Sequence, residues 1–417
     1  MEKVYLLNVS KYDPALIARG LNKAAQELNV SLQQKSAILL ADCPWAHPKF
    51  APHSHTHPGL IQGVAQALEP AAITLAANSL PGFPTRYSFN HADYGSLAVH
   101  LKGRLLPLDE AAYRKVAIEG GKVISSAKLP AVWLNADFRV AMPKLRQSTL
   151  VPFAGALRQM QSLLPQNEQL KECHRLPEKM VDLIASVPLD LIVVDAIQVL
   201  HRGGELSGQL QELGVIIVGT NPLAVDMICA VALGLDPAEV DFIREATERD
   251  IAPHALDEIQ ILGELNLDEL RRRSAGIELA DPNPANFPLP GQIKVIRSAK
   301  ARQPGVSGIL ADVFYMLRNA GVSWKSAPHT TIVIGVVDQI PPGIDEYSTL
   351  IFMDDTSRSE YKGYGRIVRL PGRNIPLIQV LTDVPYAMKV INMRAELGME
   401  LMATKLIASI KRLFPQK

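Results

Sequence analysis

The chain has 417 residues, enough for two or more cores, and its 47% apolar and 20% charged content is that of an ordinary globular protein. A formal net charge of +1 without a basic stripe excludes a nucleic-acid binder, and the best apolar run, residues 189–200, is interrupted by Asp190 and Asp195, which excludes a membrane span. Cys43, Cys173 and Cys229 are scattered and form no CxxC, and MEKVYLLNVS lacks a charged-then-apolar leader, so the expected setting is a reducing cytoplasm without a disulfide framework.

Residues 4–7 read as a short strand, and Asp13-Pro14 opens an amphipathic helix with Leu16, Ile17, Leu21 and Leu28 at helical spacing. Residues 37–41 form a buried strand that runs into DCPWAHPKFAPHSHTHP, residues 42–58. His47, His53, His55 and His57 fall within eleven residues there. Such imidazoles can share a divalent ion, zinc or nickel; the same composition also makes a stiff, merely solvated loop. Pro58 opens the next helix and residues 73–76 the next strand, an order that favours a mostly parallel α/β sheet flanked by helices.

Farther on, residues 116–118 and 122–126 are expected as a hairpin, 132–135 and 138–142 as extended, and 152–164 and 176–187 as helices. Lys144, Arg146 and Arg158 could form a basic pocket for an anion; each is also readable as an ordinary surface cation. Residues 191–194 are a buried strand closed by Asp195, followed by the loop HRGGELSG.

The stretch GVIIVGTNPLAVDMICAVALGLDP, residues 214–237, is the most apolar punctuated segment. Val215 to Val218 are too apolar to alternate, Thr220 or Asn221 can cap the next helix, and Pro222 suits a first helical turn. Asp226 interrupts an otherwise apolar helix and needs a partner, because a buried unpaired charge costs several kcal/mol. It reads either as a structural Asp bonded to a neighbouring loop or as a site residue where a strand's carboxyl end meets a helix.

Residues 280–292, ADPNPANFPLPGQ, hold four prolines in thirteen positions and read as a linker between a first domain, 1–279, and a second, smaller α/β domain, 293–417. The second pattern predicts a helix over 308–320, strands at 331–337, 350–353, 367–370 and 377–381, a polar loop at 354–366, and a long helix over 388–414. The stripe on that helix, with Leu397, Leu401, Leu406, Ile407 and Ile410, reads as core or dimer packing, which leaves homo-oligomerisation open.

The order of motifs resembles the domain-of-unknown-function 362 family, over roughly residues 35–265. GTNPLAVDMICAVALGLDP is similar to the family's small-residue turn, Asn-Pro, Ala-x-Asp and helix; His57-Pro58 to its Thr-His-Pro; Lys144-Leu145 to the start of its Lys-Leu-Lys-Thr-His; and Gly155-Ala156-Leu157-Arg158-Gln159 to its Gly-Ala-x-Lys-Asn. Asp195 falls where the family has Asp-Gly. The chain departs at Cys43-Pro44-Trp45 for Lys-Pro-Asn, at Gln147-Ser148 for Thr-His, at Arg158-Gln159 for Lys-Asn and at Ala196 for Gly. Members often carry a ferredoxin-like cysteine segment near the C-terminus. This chain has no cysteine after Cys229, so no iron–sulfur cluster is expected, nor any other cofactor beyond a divalent metal.

The expected function is binding, and transformation, of a small anionic ligand in a cleft at the carboxyl ends of the strands. His57 would be the acid/base, with Lys144, Asp195 and Asp226 beside it and Arg146, Arg158, Thr220 and Asn221 as substrate contacts. The alternatives are a metal-binding protein using His47, His53 and His55, and a non-catalytic relative that keeps the fold for partner binding.

Overall fold

The computed structural model describes residues 1–69, 72–298, 305–336, 348–354, 365–370 and 375–415. Apolar runs at the start of the chain become β1 (Glu2–Asn8), β2 (Ser36–Ala41) and β3 (Ala72–Ala77), followed by β4 (Arg104–Pro107). The expected hairpin forms with its second strand displaced along the chain, as β5 (Tyr113–Ala117) on β6 (Ser126–Pro130), which shares only Ser126 with the predicted 122–126, and it stands apart from the main sheet. Then come β7 (Phe138–Met142), β8 (Lys144–Gln147), β9 (Phe153–Ala154), β10 (Leu191–His201), β11 (Gln209–Gly219) and β12 (Ile259–Gly263).

The main sheet runs β12-β1-β11-β10-β7-β2-β3-β4, with β8 on β10 and β9 on β8. Along that path every pair is parallel except those of β11, which is antiparallel to both β1 and β10. Alternate residues feed two cores, as the two-residue period of a strand requires. Ile38, Leu40, Ile192, Val194, Val215 and Ile217 meet the helix Pro222–Ala232 on one face. Leu39, Val193, Ile216 and Val218 meet the helices Pro14–Leu28 and Pro58–Leu68 on the other.

A second, all-parallel sheet comes next along the chain: β13 (Ile293–Arg297), β14 (Thr330–Ile334), β15 (Thr349–Met353) and β16 (Ile367–Leu370). Its helices are Gly305–Asn319, Leu377–Ala387 and Met393–Leu413. Two segments expected as extended are helical, Ala131–Asn135 and the start of Leu377–Ala387. Each comes after a proline in extended conformation, and a short apolar run cannot by itself separate strand from helix. The expected strand 331–337 reaches Ile334, and Val337 and most of the loop 354–366 lie outside the described residues. In the last helix Gly398 breaks the helical path, Leu397 and Leu401 are buried, and Leu406, Ile407 and Ile410 are exposed. Among the described residues no helix is long and apolar enough to cross a membrane.

The proline-rich segment is packed rather than slack. The Gln147 side chain brackets Ala280, accepting from its N–H and donating to its carbonyl, each at 2.6 Å, and Phe287 packs on Phe314 and Tyr315. We propose 1–279 and 293–417 as two domains joined through it.

Asp226 organises one helix packed beside the main sheet. It is fully buried, and its two oxygens accept the backbone N–H groups of Ala156 (2.6 Å) and Leu157 (3.0 Å) at the open start of the helix Ala156–Gln161. Gly155 precedes that helix, and a Cβ there would lie 2.2 Å from Asp226 Oδ1. The Gly155→Ala variant should therefore lose roughly 1–3 kcal/mol of stability by overpacking, read from chemical denaturation. Burial, opposed by the two N–H bonds, pushes the Asp226 pKa from 3.8 up to about 7. The folded state then holds a proton that the unfolded state has released between those values. Stability compared with Asp226→Asn should shift against the wild type as pH rises from about 4 to about 7 and level off above. A stability difference that stays flat across that window would remove Asp226 as a titrating group.

Candidate functional site

Asp195 lies in the middle of β10, not at its end, and is completely buried. Beside it β7 gives way at Pro143, whose carbonyl accepts the Asp195 N–H at 2.8 Å, and Lys144 resumes as β8 directly opposite Asp195. A buried carboxylate needs several donors, and three reach it. Asp195 Oδ1 accepts the Tyr12 hydroxyl at 2.7 Å, while Oδ2 accepts the His57 backbone N–H at 2.9 Å and sits 3.2 Å from Lys144 Nζ. Lys144 Nζ also donates to Tyr12 Oη at 3.0 Å. Burial lowers the Lys144 pKa, with the Asp195 charge acting against it; burial, then the same carboxylate, raises that of Tyr12.

Two helix starts deliver the remaining parts. Tyr12 precedes Asp13, which caps the helix Pro14–Leu28 by accepting from Ala15 and Leu16 N–H. His57 caps the helix Pro58–Leu68, its Nδ1 accepting the Gly59 N–H at 3.0 Å. Their rings stack at 3.7 Å between centroids and 16° between planes. Gly59 permits the approach, because a Cβ there would lie 2.8 Å from the Tyr12 carbonyl oxygen.

The cap bond decides the tautomer. Since Nδ1 accepts, the neutral ring carries its proton on Nε2, which has no hydrogen-bond partner among the described residues. Partial desolvation, helped by the Lys144 and His53 charges and opposed by Asp195, holds the His57 pKa below its ordinary value. The exposed ring thus presents a neutral N–H donor with a buried ammonium–phenol–carboxylate cluster behind it.

The loop imidazoles go to different neighbours. His47 is buried, with Nδ1 accepting from Lys49 and Phe50 N–H and its ring near Trp45, Phe50 and His91. His55 lies edge-on to Tyr94, its pKa pushed down to about 4 by burial first and by the Lys144 charge next, and His53 is exposed. Among the described residues no group of three or more His, Cys, Asp or Glu could hold a metal ion.

Arg146 and Arg158 occupy a second, buried network. Arg146 pairs with Asp42 and, at 3.3 Å, with Glu205; Arg158 pairs with Glu205 at 3.2 Å and with Gln161 at 2.5 Å. Asp42 joins the two networks, because it also accepts the Lys144 N–H at 3.3 Å. Tyr12, Asp42 and Glu205 were not anticipated, although two buried arginines imply carboxylates nearby.

Thr220, Asn221 and Asp226 do not join His57. Since β11 runs antiparallel to β10, Gly219 lies opposite Ile192, at the amino end of β10, and the turn after it falls on the far edge of the sheet. Asn221 caps the helix Pro222–Ala232 there, accepting from Leu223 and Ala224 N–H, Thr220 is exposed, and Asp226 serves the helix Ala156–Gln161. Of the four residues expected to share a cleft, His57, Lys144 and Asp195 come together in one hydrogen-bonded cluster, in which Tyr12 is the fourth member.

The iron–sulfur cluster that the family resemblance implies does not fit these residues. Cys43, Cys173 and Cys229 are buried on three separate elements, after β2, at the turn Cys173–Arg175 and inside the helix Pro222–Ala232. The chain is 20% identical over 209 residues to a thylakoid-associated protein of Synechocystis sp. (strain ATCC 27184 / PCC 6803 / Kazusa); the match covers 48% of this chain and 64% of that protein, less than two thirds of its length. Among solved structures it is similar to a lactate racemase apoprotein from Thermoanaerobacterium thermosaccharolyticum, with a TM-score of 0.37 and 12% identity over 56% of this chain and 58% of that one. A Thermotoga maritima protein gives a TM-score of 0.28 and 11% identity over 53% and 59%. Residues 40–231, which include His57, Lys144 and Asp195, match the family described as Domain of unknown function (DUF362).

Proposed function

We propose that the chain is a cytoplasmic protein that binds a small anionic molecule at the open side of His57 and exchanges a proton with it there. One observation supports this reading above the others: Asp195 is saturated by Tyr12, Lys144 and the His57 N–H, so the cluster offers donors rather than acceptors outward. The His57 Nε2–H would meet an oxygen of the ligand, and the buried Lys144 ammonium would stabilise negative charge developing on it. Asp195 opposes the downward push of burial on the Lys144 pKa, and Tyr12 stacks on the His57 ring.

His57→Asn is the informative variant, because Asn still caps the helix but has no Nε2–H. Titrating acetate and, separately, inorganic phosphate should move the His57 ring resonances of the wild type. Affinity should fall about tenfold or more in His57→Asn, the loss of one hydrogen bond to a charged group. Equal affinity in the two proteins, or a His57 ring that senses neither anion, refutes the reading.

Lys144→Met tests the support beneath. It leaves a buried carboxylate without its cation, so unfolding free energy should drop by roughly 3–5 kcal/mol. A drop below about 1 kcal/mol, typical of a surface pair, would mean that Lys144 is not the counter-charge of Asp195.

A further inference from the structure

Between the main sheet and the helix Gly305–Asn319 lies an internal chamber of about 50 Å³, walled by Leu150, Ile309 and Leu377 on its apolar side and by Arg158, Glu205 and Asp312 on the other. A smaller polar space shares Arg158 and Glu205 with it and adds Asn78, Arg146 and Gln159. Around that space four buried atoms have no hydrogen-bond partner among the described residues: Arg146 Nε, Arg158 Nε, Asn78 Oδ1 and Gln159 Oε1. The amide orientations are set by carbonyls, since Asn78 Nδ2 donates to Ser162 and Leu164 and Gln159 Nε2 donates to Leu40. Each buried group left unpaired costs about 1–3 kcal/mol, and more where the group is charged, so their gathering around one small space points to an occupant.

We propose that this chamber binds a short-chain aliphatic monocarboxylate, its head group on the Nε–H donors of Arg146 and Arg158 and its alkyl tail among Leu150, Ile309 and Leu377. The head needs an acceptor for two guanidinium N–H groups whose other nitrogens are already engaged by Asp42, Glu205 and Gln161. The tail needs an apolar lobe, and the larger space supplies one. A phosphate or a dicarboxylate would satisfy the arginines but would place a second charge against leucine and isoleucine. Asn78 and Gln159 can be satisfied by one bridging water beside the head group. Burial, and then the Glu205 charge, push the Asp312 pKa up to about 8, so near neutrality its carboxyl is largely protonated and adds little repulsion to an incoming anion. This site is separate from the His57 face and stands or falls without it.

The test is saturation-transfer NMR on the full chain with sodium butyrate, against 1-butanol, butylamine and sodium chloride at matched ionic strength. Butyrate should give a saturable signal from its methyl protons and bind about tenfold or more tighter than 1-butanol, the worth of hydrogen bonds to a charged group. Ile309→Phe should abolish the signal by filling the lobe. Arg158→Gln should remove the preference for butyrate over butanol while leaving the lobe open. Near-UV circular dichroism shows whether each variant is folded; should Ile309→Phe not fold, Leu377→Phe takes its place. A water-filled chamber would show no saturable butyrate signal, which overturns the proposal. So would equal binding of butanol and butyrate, or a signal unchanged in a folded lobe-filling variant.

Discussion

A carboxylate buried in the middle of a strand determines how the first two helices begin. Asp195 cannot be hydrated where it sits, so it gathers donors from three places remote in sequence: Tyr12, the His57 N–H and Lys144. Each supplier is then committed. His57 must start its helix with the backbone N–H turned inward, Tyr12 must lie against the imidazole, and β8 must resume after Pro143 in register with β10. The imidazole edge left outside is the part of this arrangement still available to a ligand.

Lys144 and Arg146 stand two positions apart on one short strand yet serve different networks. The pairing of β8 with β10 is irregular, Lys144 facing Asp195 but Arg146 facing Leu200, so the two strands advance unequally. Lys144 thereby reaches Tyr12 and Asp195, while Arg146 reaches Asp42 and Glu205. Asp42 holds the crossover by accepting from both residues. The hairpin loop carrying Glu205 is in turn pressed against the second sheet's helix, with no room for a Cβ at Gly204, where one would lie 1.7 Å from Asp312 Oδ1. The buried charges beside the main sheet therefore extend into its contact with the C-terminal residues.

Much of this was legible in the chain. Val193, Ile216 and their neighbours are apolar at every position because both faces of the sheet are covered, and His57 and Lys144 approach each other because the parallel strands β2 and β7 end side by side, whereas Asp195 meets them from the middle of β10, which continues past those ends. The antiparallel direction of β11 departs from the expectation of one shared edge, although a signal for it exists in the chain. Parallel neighbours need a crossover of about a dozen residues or more, usually helical, and only 202–208 separate β10 from β11. Reading that interval as a hairpin would have sent Thr220, Asn221 and Asp226 to the far edge. Tyr12 carries no comparable mark, because stacking on His57 joins residues 45 positions apart and leaves no local pattern. The helix Leu377–Ala387 differs from the strand expected at 377–381 because its opening run has the apolar density of a strand, and its helical period shows only over its full length.

The position of β1 has a consequence for how the molecule can be divided. Residues 2–8 lie between β11 and β12, so this strand, once synthesised, waits for partners more than 200 residues downstream. A fragment cut to residues 40–231 would contain the whole family match and still leave the Val215 to Val218 run without its outer neighbour. It would also lack Tyr12, and Asp195 would lose one of its donors. Such a piece would present a long apolar edge ready to pair with another chain, the geometry from which β-aggregation starts.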